Sequence, residues 1–389
     1  MRSRRLRRSS TKEVCSPRSI STSSAGSTPR SRHSSTPPST ARISSIGTSH
    51  ACSPGFSRSD WRTSQRGPSD WIAGRWRSWW DSWRSPSRPS PRTSPRRSRR
   101  RLPRCGRPSD WRVTFFLDFR TDGVGGGILD EPRVLEGNGL VDPPELRHLG
   151  QTLPADRIAG REVVFVTHGF NVSRRAGVHA LARLEHDLTL PQAFVFVGVL
   201  WPGDWWIPAV NYPAEAGDAV RCGRLLAKFI NTSLSAAADV SLVSHSLGGR
   251  LVLETVKQLD RPAREVCVLA AAVDDDCLTS RQYDAARKNA KRISVLASKG
   301  DRVLRLAYPA GDFLSDVFFH DEDNPTGHAL GYHGPHPRAE QVLHAQISGD
   351  LYDHGDYFPP SDLSQPIGKQ NKPEAFISET LLGLPHAWP

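Results

Sequence analysis

The chain has 389 residues and a hydrophobic content of 37%, which is enough for a substantial core and is typical of a globular protein. Its formal net charge of +12 would ordinarily suggest a nucleic-acid or membrane partner, but residues 1–108 carry 25 Arg and Lys against 4 acidic residues, a net charge of +21. The remainder is therefore mildly acidic, at −9, which excludes any inference from the overall charge about the body of the protein.

Residues 1–110 are rich in Ser, Arg and Pro and show no helical or strand period. Such a composition buries too little apolar surface to offset the entropy of ordering, so a disordered N-terminal tail is expected. The tail has two interpretations. It is either an Arg- and Trp-containing arm able to hold single-stranded nucleic acid or an extension without function, and we favour the second because low complexity specifies function weakly. The absence of Asn and Tyr from residues 1–108 also fits a start site assigned too far upstream.

The six cysteines and the distribution of apolar residues indicate the cellular compartment. No two cysteines form a C-x-x-C pair, so neither a disulfide framework nor a zinc site is indicated. The first 30 residues lack the apolar core of a secretory signal, and no later stretch reaches the roughly 18 apolar residues of a membrane span. We therefore expect a cytoplasmic protein without a membrane span.

Residues 111–389 are predicted to form one domain in which short apolar runs alternate with amphipathic segments. The apolar runs are typical of parallel strands covered on both faces. Predicted strands span 113–117, 163–166, 193–200, 240–243, 266–271 and 293–297, and predicted helices span 172–188, 214–230, 247–259 and 279–290. A Gly/Pro-rich stretch, 122–160, separates the first strand from the others. This alternation predicts an α/β protein with a doubly wound, mostly parallel sheet, whose ligands bind at the carboxyl ends of the strands.

The segment from Val240 to Arg250 reads as a strand, a sharp turn and a helix. A nucleophilic serine on such a turn needs small residues two positions before and two after it, and Ser244 and Gly248 meet that demand around Ser246. The amide of Leu247, at the start of the helix, would donate to a developing oxyanion. The alternative is a Ser/Gly-rich cap ahead of a core helix, and we favour the nucleophile.

A second apolar strand ends in the box His168-Gly169-Phe170-Asn171, which begins 78 residues before Ser246. Taken alone, the box could be a simple turn after a strand. Together the two motifs resemble the oxyanion loop and nucleophile elbow of the α/β-hydrolase superfamily, and more narrowly an uncharacterised bacterial esterase- or lipase-like branch with an H-G-F/Y-N box. The resemblance covers residue 113 to the C-terminus and implies that Phe170 supplies a second oxyanion amide.

The elbow departs from the superfamily pattern G-x-S-x-G, because Ser244 stands where the first glycine is usual. Serine is still small, so the turn remains feasible. The resemblance also implies the chain order Ser, acid, His, and it favours Asp301, which follows the predicted strand 293–297. Asp274 and Asp276, after the preceding strand, are alternatives, and Asp301 could instead cap a short helix.

Of the histidines that follow Asp301, the resemblance favours His354, which lies in a late loop near the end of the domain. His333 and His336 are the next candidates. The base would take the proton of Ser246 and return it to the leaving alcohol, a step typically worth about 10²- to 10⁴-fold in rate.

Four further side chains are candidates for a substrate pocket: His168, Trp201, Trp205 and Trp206. The tryptophans could equally be core aromatics, and a structural hydrogen bond is the expected use of His168. The histidines lack the spacing of a metal site, and a serine mechanism needs neither metal nor other cofactor.

The sequence thus predicts a serine carboxylic-ester hydrolase that acts on a small-molecule ester or acyl substrate. A thioesterase or amidase with the same triad remains an alternative, because the same Ser-His-Asp arrangement transfers acyl groups from esters, thioesters and amides. A non-catalytic binding protein with a hydrolase fold is the alternative from another class, since a fold does not establish activity.

Overall fold

A computed structural model of the chain describes residues 113–123, 126–203, 212–306, 328–347, 352–369 and 371–385. The predicted tail, residues 1–110, lies outside these ranges, so its disorder and its two interpretations stay predictions. The candidate pocket residues Trp205 and Trp206 also lie outside the described residues. Within those ranges, no helix combines the length and the apolar character that crossing a bilayer requires.

Nine strands form one sheet in the described part of the chain. They are β1 (Thr114–Arg120), β2 (Ile128–Asn138), β3 (Glu145–Gly150), β4 (Glu162–Thr167), β5 (Phe194–Leu200), β6 (Asp239–His245), β7 (Ala263–Leu269), β8 (Ala290–Ser298) and β9 (Val342–Ile347). The helices are α1 (Ala155–Ile158), α2 (Arg174–Asp187), α3 (Tyr212–Ser233), α4 (Gly248–Lys257), α5 (Asp284–Lys288), α6 (Arg302–Leu306), α7 (Leu330–His333) and α8 (Asn371–Leu381), with a 3₁₀ turn at His354–Asp356.

The strand order is β3-β2-β1-β5-β4-β6-β7-β8-β9. Among the described strands, β2 runs antiparallel to both of its neighbours, and every other neighbouring pair is parallel. The chain passes from β4 to β5 on one side and then crosses to β6 on the other side of β4. The strand order therefore reverses between β4 and β6, and the carboxyl ends of such strands border the crevice where open α/β sheets bind ligands.

The central strands are apolar because both faces of the sheet are covered. Every residue of β4 is buried, and its side chains alternate between two apolar clusters. Val163 and Phe165 pack in the cluster that includes α3 and α4, whereas Val164 and Val166 pack in the cluster that includes α2 and α8. This arrangement confirms the predicted fold class, a doubly wound and mostly parallel sheet of the α/β-hydrolase type.

Three strands were not predicted, and all lie away from the sheet centre. Strands β2 and β3 form a hairpin within the Gly/Pro-rich stretch, and β9 is the last strand at the opposite edge. Charged and polar residues are interspersed among their apolar ones, so these strands lack the continuous apolar run of a central strand. The predicted helix 279–290 is wrong in extent, because turns occupy its first part and only Asp284–Lys288 is helical.

Candidate active site

Ser246 lies at the turn between β6 and α4 with a φ of +56°, in the left-handed region that side chains disfavour. Such a conformation costs about 1–3 kcal/mol and persists only where the surroundings impose it. Three backbone hydrogen bonds do so here. The Ser246 amide donates to Leu269 (3.0 Å), and the Ser246 carbonyl accepts from the amides of Gly249 (2.9 Å) and Ala272 (3.1 Å). The turn is therefore anchored both to its own helix and to the neighbouring strand.

Glycines allow the elbow and the loop after β4 to touch. A Cβ on Gly248 would lie 2.6 Å from the carbonyl oxygen of His168, and a Cβ on Gly169 would lie 2.8 Å from the Cβ of Ser246. Real Cβ atoms do not approach so closely, so each backbone occupies space that a side chain would need. The His168-Gly169-Phe170-Asn171 loop and the elbow are consequently in direct backbone contact.

His354 connects Ser246 to Asp301. The Ser246 hydroxyl lies 2.7 Å from His354 Nε2, and His354 Nδ1 lies 2.7 Å from Asp301 Oδ2. Because a carboxylate only accepts hydrogen bonds, Nδ1 carries the proton and Nε2 is left as the acceptor for the serine hydroxyl. This tautomer is the one that a general base acting on Ser246 requires.

Asp301 has a separate hydrogen bond for each carboxylate oxygen. Oδ2 accepts from His354, while Oδ1 accepts from the amide of Leu304 (2.9 Å) in the first turn of α6. The side chain is fully buried. Asp301 therefore caps the short helix and binds the imidazole at the same time. The cap orients the carboxylate toward His354.

The loop that carries His354 begins with a 3₁₀ turn capped by Asp353. The Asp353 carboxylate accepts from the His354 amide (2.9 Å), from the Arg302 amide (3.1 Å) and from the Arg302 guanidinium through Nε (2.8 Å) and Nη2. Ser298, at the end of β8, donates through its hydroxyl to the carbonyl of Tyr352 (3.0 Å). The Asp353 carboxylate thus links the backbone amide that follows Asp301 to the backbone amide of His354.

The environment of His354 favours its charged form. Burial lowers the pKa of His354, but the charge and hydrogen bond of Asp301 and the charge of Asp353 raise it by more, and the net pKa lies above the ordinary 6.5. A carboxylate that stabilises the imidazolium in this way supports proton transfer from a serine.

The other candidates for acid and base lie elsewhere. His333 Nδ1 is 2.7 Å from a carboxylate oxygen of Asp275, and the His333 and His336 rings are 5.7 Å apart. Asp274 lies in a short antiparallel bridge with Ala329. The structure therefore brings His354 to Ser246, and it gives His333 a carboxylate partner of its own.

His168, the first residue of the loop that follows β4, and Trp201 are both buried. His168 Nδ1 donates to the Gly169 carbonyl (2.8 Å), its Nε2 accepts from the Trp201 amide (3.4 Å), and Trp201 Nε1 donates to the His168 carbonyl (2.9 Å). The two rings stack with centroids 5.7 Å apart. Burial lowers the pKa of His168 to about 3, so the ring is neutral and supports the loop through backbone contacts.

One predicted oxyanion donor, Leu247, lies in the elbow, and the other, Phe170, lies in the loop that contacts the elbow. Leu247 is buried and directly follows Ser246, and its amide finds no acceptor among the residues that the structure describes. Phe170 packs partly against the core, and the next residue, Asn171, has a φ of +58°. Asn tolerates this left-handed conformation better than most residues, and its amide donates to the Gly203 carbonyl, which fixes the end of the loop.

Three residues with contacts to the site were missed as functional candidates. His245 donates to the backbone of His354, and Arg302 pairs with Asp353. Arg302 follows Asp301 directly, and Asp353 precedes His354 directly. Opposite charges next to two predicted site residues were a signal for this pair, whereas the contact of His245 follows from the positions of two loops and has no local signal.

The strand order, the crossover at β4 and the strand-turn-helix at Ser246 define the class: the described part of the chain has an α/β-hydrolase fold. A family model described as an alpha/beta hydrolase of unknown function (DUF900) matches residues 148–311, which include the elbow and Asp301 but end before His354. The narrower branch with the H-G-F/Y-N box stays a prediction.

Comparison with curated proteins found no match. Solved structures similar to this chain include esterase PE8, at 18% identity with a TM-score of 0.34, covering 59% of this chain and 96% of that one. An esterase from Pyrobaculum calidifontis is 13% identical with a TM-score of 0.35, covering 70% and 87%. An inhibited esterase B from Lactobacillus rhamnosis is 11% identical with a TM-score of 0.35, covering 81% and 94%.

Proposed function

We propose that the protein is a serine hydrolase that cleaves a carboxylic ester through an acyl-enzyme on Ser246. The observation that carries the proposal is the position of His354, 2.7 Å from the Ser246 hydroxyl on one side and 2.7 Å from Asp301 on the other. The strained φ of Ser246 adds support, because strain of this kind clusters at functional sites.

Acylation would begin when the Ser246 oxygen attacks the ester carbonyl carbon while His354 Nε2 takes the hydroxyl proton. The carbonyl oxygen gains the electron pair and becomes an oxyanion, which the amides of Leu247 and Phe170 stabilise in this proposal. When the tetrahedral intermediate collapses, the bond to the leaving alkoxide breaks and His354 returns the proton to it. The products of this step are an alcohol and an acyl ester of Ser246.

Deacylation repeats the same steps with water in place of serine. His354 takes a proton from water, whose oxygen attacks the acyl carbon, and Ser246 leaves with the proton that His354 returns. Asp301 remains ionised throughout, holds the imidazole in the tautomer with the proton on Nδ1, and stabilises the imidazolium formed in each half-reaction.

The first experiment is active-site labelling of the intact protein with a fluorophosphonate probe, which reacts with activated serines. Labelling is expected in the wild type and is expected to disappear in Ser246→Ala, because the variant lacks the hydroxyl that lies against His354. A folded wild-type sample that takes up no probe would instead support the non-catalytic alternative.

A panel of acyl substrates then tests the ester. Esters of graded acyl chain length are compared with thioesters and anilides of the same acyl groups. The proposal expects the highest kcat/KM with esters, and faster turnover of thioesters or anilides would assign the same triad to a thioesterase or an amidase.

A further inference from the structure

His245, the residue directly before Ser246, contacts the backbone of His354. Its Nε2 lies 2.9 Å from the His354 carbonyl oxygen. A carbonyl oxygen only accepts hydrogen bonds, so Nε2 of His245 carries the hydrogen. A single side chain therefore connects the turn that bears the proposed nucleophile to the loop that bears the proposed base.

The His245 ring is held on several sides. Its centroid lies 4.8 Å from that of His354, 5.8 Å from that of Tyr357 and 5.4 Å from that of Phe358. A Cβ on Gly169 would come within 3.1 Å of its Nδ1, so the loop after β4 packs against the same ring. His245, the last residue of β6, thus contacts the loops that follow two other strands, β4 and β9.

His245 stays neutral in this environment. Burial and the nearby charge of His354 lower the pKa of His245 well below 6.5. A second cation beside His354 would oppose the imidazolium that forms when Ser246 gives up its proton. A neutral ring with the hydrogen on Nε2 can therefore hold the base without competing with it.

We propose that His245 is a positioning residue whose Nε2–H hydrogen bond to the His354 carbonyl keeps the ring of the proposed base within hydrogen-bond distance of Ser246. The inference rests on the proposed function. It assigns to the variable position of the elbow a role in holding the histidine loop, and the distance of 2.7 Å between His354 Nε2 and Ser246 Oγ depends on that hold. Misplacement of a reacting group by about 1 Å can cost on the order of 100-fold in rate.

Amide side chains of different length give a matched test. Gln at position 245 can place an N–H near the position of the histidine Nε2, whereas Asn ends about one bond earlier and cannot reach the His354 carbonyl. His245→Gln and His245→Asn thus keep the same chemical group and differ in reach. His245→Leu removes the donor but keeps an apolar side chain against Tyr357 and Phe358.

The measurements are the rate of fluorophosphonate labelling, kcat and KM of each intact variant, and its thermal unfolding midpoint. We expect Gln to stay within about fivefold of the wild-type kcat, and Asn and Leu to lose about tenfold or more with little change in KM, as loss of one oriented hydrogen bond predicts. A purely structural role would lower the unfolding midpoints without separating Gln from Asn in kcat.

The outcomes separate this inference from the proposed function. If the wild type is labelled and Asn and Leu react as fast as it does, His245 only packs and the positioning role is overturned. If Gln loses as much kcat as Asn, the hydrogen bond is not the cause, and the role is again overturned. If the wild type itself takes up no probe, the proposed function fails, and the positioning role fails with it.

Discussion

Ser244 stands where the α/β-hydrolase elbow pattern G-x-S-x-G has its first glycine. Its side chain is fully buried, and its hydroxyl has no hydrogen-bond partner in the part of the chain that the structure describes. A Cβ on Gly249 would lie 3.8 Å from this oxygen, so the hydroxyl fits beside the helix without a clash. The substitution of Ser for Gly therefore preserves the turn but leaves a buried polar group unsatisfied.

We expect Ser244→Ala to raise the free energy of unfolding by about 1 kcal/mol, because an unsatisfied buried hydroxyl costs about 1–3 kcal/mol. Ser244→Gly is the matched variant: it removes the same hydroxyl but adds about 0.5–1 kcal/mol of backbone entropy cost, so its net change should be close to zero. Urea unfolding of the three proteins measures both differences. An Ala variant less stable than the wild type would contradict the absence of a partner.

At the scale of elements, the carboxyl ends of β8 and β9 are joined through the two loops that follow them. Helix α6 starts at Arg302, and the 3₁₀ turn starts at His354, with Asp353 as its cap. The Arg302 side chain is 65% exposed and that of Asp353 is 27% exposed. The ion pair is therefore screened by solvent, whereas the bonds from Asp353 to the two backbone amides do not depend on the arginine side chain.

Removing the cap and removing the ion pair should have different effects. Asp353→Ala loses the acceptor for two backbone amides and should lower the free energy of unfolding by about 0.5–2 kcal/mol, as loss of a helix cap does. Arg302→Ala keeps the cap and should cost less than about 1 kcal/mol, an effect that shrinks at high salt. Urea unfolding at low and high NaCl measures both, and equal effects in the two variants would argue against the cap.

The extent to which sequence predicts elements depends on their place in the sheet. The apolar runs of β4 to β8 were recognised because strands covered on both faces need apolar residues at nearly every position. The hairpin β2–β3 and the edge strand β9 were missed because a partly covered strand needs apolar residues at only some positions, and here polar residues interrupt every apolar run. Backbone pairing with the neighbouring strands defines them instead, and that pairing leaves little trace in a single sequence.

At the scale of the whole molecule, pH affects activity through His354. Its ring is hydrogen-bonded to Asp301 and lies beside His245, and the charges of Asp301 and Asp353 together with the Asp301 hydrogen bond outweigh burial, so the pKa of His354 lies above 6.5. The proposed base must be neutral to accept a proton. Activity should therefore fall as pH decreases through a midpoint above 6.5, and a pH profile of kcat/KM for the wild type measures it. A midpoint below 6.5 would contradict the raised pKa.

The raised pKa of His354 makes the stability of the fold depend on pH in the opposite direction from activity. A histidine whose pKa is raised in the folded protein binds its proton more tightly there, so its contribution to stability is fully present below pH 6.5 and is lost as pH rises through the folded pKa. The pH range in which the proposed base is active is therefore the range in which this contribution is lost.

His168 contributes to acid sensitivity with the reverse sign. Burial lowers its pKa to about 3, so between pH 6.5 and about pH 3 the unfolded chain binds a proton at this position that the folded protein does not. The stability contributed by His168 is complete above pH 6.5 and is lost as pH falls through that window. We expect His168→Gln to reduce the dependence of the free energy of unfolding on pH between 6.5 and 4, measured by urea unfolding. An unchanged slope would mean that the ring is protonated in the folded protein.

The sequence by itself determined the alternation of strands and helices and the two segments, at Ser246 and at His168-Gly169-Phe170-Asn171, that leave the sheet at its carboxyl edge. Both are contiguous in the chain, so their residue pattern carries their local geometry. Only the tertiary structure decided which histidine meets Ser246, because His333 and His354 lie in similar polar contexts and differ in which loop they occupy. The 3₁₀ turn after β9 brings His354 to Ser246 and Asp301, while Asp275 engages His333, and contacts between distant loops of this kind depend on the assembled sheet.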